Sequence, residues 1–305
     1  MKVALRLEEL EPRYTPATIQ VVPGPHALQS AIDAASAGDT LLIAHGTYRE
    51  DIVITKPLTL IGQPDAAHQN PFIVGSGGAN GKEIIVDVAP YVQNVSISHV
   101  AIGDSHGTNP IQVGLMLEQG AGFFSFSDSV IRKVRDATTS IPELAATVGL
   151  KASQGTHDIT ISHVALYNLD DPPGAVAHSY AYGIWLQGVN NVAIDHTYVK
   201  HVGDVGFFVS GGSEHVFMNY CAVEELLGAN PVGFYVADSQ DTLSGCKAYE
   251  LAGNSIGLKL DGTANVALLY GAFDDNAYGV VVYGGSFTVD ETDISGNRIQ
   301  DILHL

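Results

Sequence analysis

Seven short apolar segments of this chain each open on a glycine: Gly114, Gly149, Gly183, Gly206, Gly233, Gly257 and Gly279. The steps between them are 35, 34, 23, 27, 24 and 22 residues. A repeat of roughly 22 to 25 residues that is only ever lengthened is the mark of a stacked solenoid, in which insertions loop out while the core runs on. Such a chain builds one continuous core, coil by coil. The 305 residues therefore read as one domain over 19–305 behind a flexible leader at 1–18, and not as two globular units.

After each glycine the residues alternate. Leu115, Leu150, Ile184, Phe207, Phe234, Leu258 and Val280 share one phase, as do Leu117, Ala152, Leu186, Val209, Val236, Leu260 and Val282, and both sets are expected to point inward. A second strand in each coil repeats the pattern, as in Val192 and Ile194. Upstream, Leu28, Ala31, Ile32 and Ala35 recur at helical spacing. They predict an amphipathic helix over 26–36 that covers the open end of the core, with Gly38 at its C-terminal cap. Ile19, Val21 and Val22 predict a strand before it, and 39–44, 51–54 and 58–61 predict short strands after it.

The run Leu28–Gly62, LQSAIDAASAGDTLLIAHGTYREDIVITKPLTLIG, resembles the N-terminal cap and first coils of the pectin lyase-like superfamily. With the glycine repeats the resemblance extends over about residues 19–299. It implies an all-β fold: a single-stranded right-handed parallel β-helix of about ten coils with an N-terminal capping helix. One fold of this kind hosts many activities, so function has to be argued from side chains. Two fragments, GTYRE at Gly46–Glu50 and QDTL at Gln240–Leu243, are similar to pectin methylesterases, in which the aspartate of QDTL is the general acid; here that is Asp241. The second catalytic aspartate motif does not follow, because GCKAYELAGNS stands in its place. Leu10–Arg13 resembles the LEPR-type sorting segment of planctomycete surface proteins and implies an extracellular or cell-surface location.

Asp and Glu number 33 against 14 Lys and Arg, a formal net charge of −19. Nucleic acid is excluded as a partner on that balance, since phosphate neutralisation needs basic patches. No apolar run approaches the length of a transmembrane helix. Cys221 and Cys246 fall in one column of adjacent coils, so they are expected to be neighbours. The last coil, ending in DILHL, has no cap of its own, which leaves an end segment or a second copy of the chain, as in a homo-oligomer, to cover it.

The outward phase of the glycine strand reads Met116, Lys151, Trp185, Phe208, Tyr235, Lys259 and Val281. Three aromatics in successive coils predict a ladder whose flat rings suit the C–H faces of sugars. Lys259 and the next outward group, Gln187, would supply polar contacts. Insertions within 135–147 and 170–182 enter this strand and are expected to wall it into a groove; GDSHGTNP at 103–110 leaves one coil earlier. In and beside them stand Arg132, Arg135, His178, Tyr180 and Tyr182, with Lys151 on the strand itself. Lyases and epimerases of uronic-acid chains need a cation to neutralise the carboxylate, a base for the C5 proton and an acid for the leaving oxygen, and these residue types fit those roles. Asp170 and Asp171 are candidate Ca²⁺ ligands.

His99, His163 and His196 align with Asp128, Tyr220, Tyr270 and Glu291 at the turn after the second strand. Continuing the inward phase, they are expected to form a hydrogen-bonded ladder that satisfies the turn backbone, in preference to a metal site. The chain thus reads as a carbohydrate-active protein that binds a polysaccharide on its outer face, with lyase or epimerase chemistry as the fitting reaction class. The alternatives are a non-catalytic surface or adhesive repeat protein and a small-molecule tailoring enzyme using the same cleft.

Overall fold

The computed structural model describes residues 15–76, 84–104, 112–134, 146–169 and 180–305. Arg135, Asp170, Asp171, His178 and residues 1–14 of the leader, with Leu10–Arg13, lie outside the described residues, while Thr18, at the expected end of the leader, already pairs with Thr40 in the first strand. Every strand pairing is parallel and joins one coil to the next. A 10-stranded sheet carries the glycine strands in coil order, from Ile52–Ile54 at one end to Gln300–His304 at the other. An 18-stranded sheet carries the rest. It is creased lengthwise into a middle face and a third face, and two of its strands, Gly122–Arg132 and His157–Leu169, run through the crease.

The crease is made by single left-handed residues. His99, Asp128, His163, His196, Tyr220, Tyr270 and Glu291 all have φ between 44° and 56°. One such residue turns the chain by a corner and reverses the side-chain phase. Tyr220 and Tyr270 are accordingly exposed at 59% and 57%, and His163 and His196 also face solvent. The expected inward phase of this column is corrected by that geometry. The column's own side chains are not what satisfies the turn: the N–H groups of His196, Tyr220 and Tyr270 donate to the Asn219, Ser244 and Asp290 carbonyls of the following coil, and those of Val100 and Gly271 donate to the Ser129 and Thr292 hydroxyls. A second left-handed column, through Lys133, Asn168, His201, Glu225, Glu250 and Asp275, closes the third face.

The glycine column has a steric cause. A Cβ on Gly206 would meet the Gly233 carbonyl oxygen at 2.6 Å and both Val223 methyls at 2.7 Å; one on Gly183 would meet the Gly206 oxygen at 2.5 Å. Here the backbone of one coil rests on the next, and the third face packs in behind it. The two alternating sets fill the core: Leu115, Leu150, Ile184, Phe234, Leu258 and Val280 are fully buried, and Phe207 and Phe234 stack at 5.0 Å between centroids.

The helix spans Ala27–Ala34 and buries Leu28 and Ile32. The buried Glu50 carboxylate accepts from the N–H groups of Leu28 and Gln29 at 3.0 and 2.9 Å, which satisfies two orphan donors of the first turn. The C-cap is Ala35, not Gly38, whose N–H donates to Pro57 at 2.8 Å. The first strand is Thr18–Val21, and Val22 is 63% exposed.

Candidate functional site

The outer side of the 10-stranded sheet brings the expected column into register. Lys151 pairs with Trp185, Trp185 with Phe208, Phe208 with Tyr235 and Tyr235 with Lys259. The rings are partly exposed and touch in sequence: Trp185 to Phe208 at 5.6 Å and Phe208 to Tyr235 at 4.8 Å between centroids. Tyr182 joins the ladder from the preceding outward position, 5.1 Å from Trp185 and 5.6 Å from Phe208. Tyr180 extends it at 6.1 Å from Tyr182.

Cations close both ends. The Lys151 ammonium sits 4.2 Å over the Trp185 ring, and that of Lys259 lies 4.1 Å from the Tyr235 ring and 4.9 Å from Tyr283. Hydroxyls and carboxylates orient the rings. Trp185 Nε1 donates to Ser210 Oγ at 3.4 Å, and the Tyr235 hydroxyl donates to Asp261 Oδ2 at 3.0 Å. Gln187 pairs with Ser210 and is exposed beside the ladder. A cleft of about 500 Å³ opens along its edge, lined by Tyr180, Tyr182, Asp204, Asn230, Tyr235 and Lys259 among others. Toward the N-terminal coils the outer side becomes aliphatic and buried, through Ile84, Val113, Met116 and Val148.

Electrostatics sort the groups. Burial, then Tyr180, Asp204 and Tyr235, push the Tyr182 phenol up to about 12. Burial and the bond to Asp261 push Tyr235 up to about 12 as well. Both phenols are therefore kept as donors at neutral pH. Burial pulls the Lys151 ammonium below its ordinary value, against the opposing charge of Glu118.

Arg132 belongs elsewhere. It ends a strand on the third face, stacks over Phe72 at 4.7 Å and donates through Nη1 to the Tyr167 hydroxyl at 3.3 Å. It does not join the ladder. Asp241 points into the core, 6% exposed, and so cannot meet a substrate as an esterase acid. Asp204 and Asn230 were not legible from alternation, although Asp204, just before the strand Val205–Ser210, occupies the same place in the coil as the insertions. Asp204 Oδ2 accepts from the Ala181 N–H at 2.9 Å.

Among the described residues, one group could hold a metal: the donor atoms of His163, Asp195 and His196 lie within 4.8 Å of one another. The two imidazoles stack face to face, 5.2 Å apart and 8° from parallel, so their in-plane lone pairs do not converge. Asp195 is engaged by His196 at 2.7 Å and by the Asn219 amide at 2.7 Å. This is a surface ladder along the crease.

Three solved structures share the architecture. An alginate lyase from a Paenibacillus species superposes with a TM-score of 0.59 at 15% identity, over 91% of this chain and 99% of its own. A 1,3-α-1,4-β-D-galactose-4-sulfate-3,6-anhydro-D-galactose-2-sulfate 4-galactohydrolase gives 0.61 at 10% identity, over 99% and 94%. The gp42 tailspike of an Acinetobacter phage gives 0.57 at 13% identity, over 92% of this chain and 58% of the tailspike chain. At such identities the likeness is one of fold. No curated protein sequence matches the chain. The family model for the right-handed beta helix region matches residues 113–299, and the chain belongs to that family.

Proposed function

We propose that this protein is carbohydrate-active and binds a polysaccharide chain along Trp185, Phe208 and Tyr235. The observation that carries the reading is the unbroken register of partly exposed rings on successive coils, flanked by Lys151 and Lys259. A glycan laid parallel to the axis meets one ring per coil, while Gln187, Ser210 and Asp261 offer hydrogen bonds to its hydroxyls. The names of two structural neighbours, an alginate lyase and a galactohydrolase of sulfated galactose units, support a sugar polymer as ligand. A cell-surface or extracellular location agrees with such a ligand and with Leu10–Arg13. No helix among the described residues is long and apolar enough to cross a membrane.

Lyase or epimerase chemistry fits the cleft in part. Tyr182, protonated, is suited to donate to a leaving oxygen, and Lys151 is the described ladder group moved toward a base. Tyr180 lines the same cleft. Arg135 and His178, with Ca²⁺ on Asp170 and Asp171, complete this reading as neutraliser and acid or base.

A non-catalytic binding protein is the second reading. The observation favouring it is that Tyr182 and Tyr235 are shifted in the same direction, whereas acid–base pairs are driven apart. A panel of acidic and neutral polysaccharides, followed by ultraviolet absorbance of unsaturated ends and by affinity electrophoresis, with and without chelator, decides among these. Absorbance growth establishes a lyase. Retardation without it removes the lyase, and proton NMR of the recovered polymer then separates an epimerase, which changes the C5 configuration, from a binding protein, which leaves the polymer unchanged. No retardation by any polymer overturns the carbohydrate reading.

A further inference from the structure

A second concavity, of about 560 Å³, lies on the third face near the N-terminal end. Its lining includes no ladder residue. Its floor is the outer side of the strands that carry Phe72, Val130 and Tyr167, and its wall is the loop that carries Gln69 and Asn70. That wall is held rigid. Asp65 Oδ1 accepts from the N–H groups of Ala67 and Gln69 at 2.9 and 2.8 Å, and the Asn70 amide donates to the Asp128 carbonyl at 3.2 Å.

Arg132 dominates the chemistry of this pocket. A guanidinium offers five donors in one plane. Here Nη1 reaches the Tyr167 hydroxyl, the carbon lies over Phe72, and Nε is buried without a hydrogen-bond partner. Among the described residues the Tyr167 hydroxyl is the one acceptor the guanidinium meets, so its outer N–H groups are left for an acceptor that enters the pocket. Among the described residues that line the pocket none is a carboxylate, in a chain with 33 acidic residues. Asp65, in the loop that forms the wall, is taken up by that loop and by His45 at 3.7 Å.

We infer that this pocket is a second saccharide site, which takes a sugar unit bearing an oxyanion group, with Arg132 on the anion, Phe72 and Tyr167 against the ring, and the side chains of Gln69 and His45 on hydroxyls. The volume suits one or two sugar rings. The oxyanion is a carboxylate or a sulfate; Arg binds either through paired N–H groups. The site is independent of the aromatic ladder and would tether an acidic glycan to the side of the solenoid away from it.

The test is isothermal titration of the whole protein with galacturonate, galactose 4-sulfate, galactose and inorganic sulfate. At least one of the two acidic sugars is expected to bind saturably, more tightly than galactose and than sulfate ion, with affinity falling as salt rises. Arg132→Gln is expected to weaken it at least tenfold and Tyr167→Phe several-fold, with circular dichroism confirming that each variant folds. Trp185→Ala separates the two faces: it lowers polymer retention and leaves the monosaccharide titration as in the wild type. The inference is overturned if neither acidic sugar binds, if galactose binds as well, if sulfate ion alone binds as tightly, or if Tyr167→Phe and Arg132→Gln both bind as the wild type does.

Discussion

The Tyr235 hydroxyl is tied to the Asp261 carboxylate at 3.0 Å while the Lys259 ammonium sits 4.1 Å over the same ring. One aromatic group is thereby held from its edge and its face at once. A ring fixed in this way loses little freedom when a flat ligand stacks on it, which is how preorganised contacts gain affinity. Tyr235→Ala and Trp185→Ala are each expected to weaken polysaccharide binding about tenfold or more, about 1.4 kcal/mol. Tyr235→Phe keeps the ring and frees Asp261, so it should weaken binding by less. Affinity electrophoresis on the polymer that retards the wild type gives the comparison, and equal retardation of all three variants would remove the ladder from the site.

Asp241 occupies a core column otherwise made of Val95, Phe124, Ile159, Val192, Val216 and Val266. Burial pushes its carboxyl up to about 7, against the contact with Ser239. The hydrogen bonds agree with a protonated group. Ser239 Oγ lies 2.9 Å from the Ser213 carbonyl and 2.6 Å from Asp241 Oδ1, and one hydroxyl proton cannot serve both; the carbonyl can only accept, so the carboxyl supplies the second. The folded state thus holds a proton that the unfolded chain, at about 3.8, releases. Stability is full below the unfolded value and falls as pH rises toward 7, by on the order of 4 kcal/mol in total. Asp241→Asn should flatten this dependence and raise Tm at pH 8 while leaving it unchanged near pH 4. A parallel fall of Tm with pH in variant and wild type would show that the carboxyl is not responsible.

How much of this was legible follows from period. Inward columns such as Leu115 to Val280 are fixed by alternation within a strand and by repetition between coils, and the register Trp185–Phe208–Tyr235 comes with them. The neighbouring of Cys221 and Cys246 is read in the same way. Their residues sit between the paired rungs Asn219–Ser244 and Ala222–Lys247, and both are buried free thiols. Corners escape such reasoning. A single left-handed residue flips the phase, so His163 and His196 face out where alternation runs them in. Sequence proximity also misleads at a corner. Arg132 is three residues from an insertion yet presents its guanidinium to Phe72 on the third face. The pocket there unites residues up to 122 positions apart, from His45 to Tyr167, which no local pattern announces.

The glycine column predicts its own fragility. Gly206→Ala places a methyl 2.6 Å from the Gly233 carbonyl oxygen and 2.7 Å from Val223, with backbone on one side and core on the other. Neither can yield cheaply, and overpacking of this kind costs about 1 to 3 kcal/mol. Gly212, by contrast, has nothing within 4 Å of its added Cβ, and only its φ of 73° opposes substitution. Denaturant unfolding should therefore show Gly206→Ala well below the wild type and Gly212→Asn, a residue tolerant of left-handed φ, close to it. The reverse order would mean that the coils are not stacked as tightly as the glycine repeat implies.

The cap carries the last expectation. An open solenoid end exposes core and unpaired strand edges, and here the helix Ala27–Ala34 lays Leu28 and Ile32 over it. Glu50 anchors that helix from the strand below by accepting two N–H bonds with its two carboxylate oxygens. Glu50→Ala removes both acceptors and leaves the Leu28 donor buried, at an expected cost of about 1 to 3 kcal/mol. Glu50→Gln keeps one acceptor and should lose less. Because each coil contacts only its neighbours, the damage should stay local: hydrogen exchange is expected to rise over residues 18–62 in Glu50→Ala and to remain at wild-type levels over the coils from Tyr180 onward. Uniformly faster exchange along the whole chain would instead show that the solenoid unfolds as one cooperative unit.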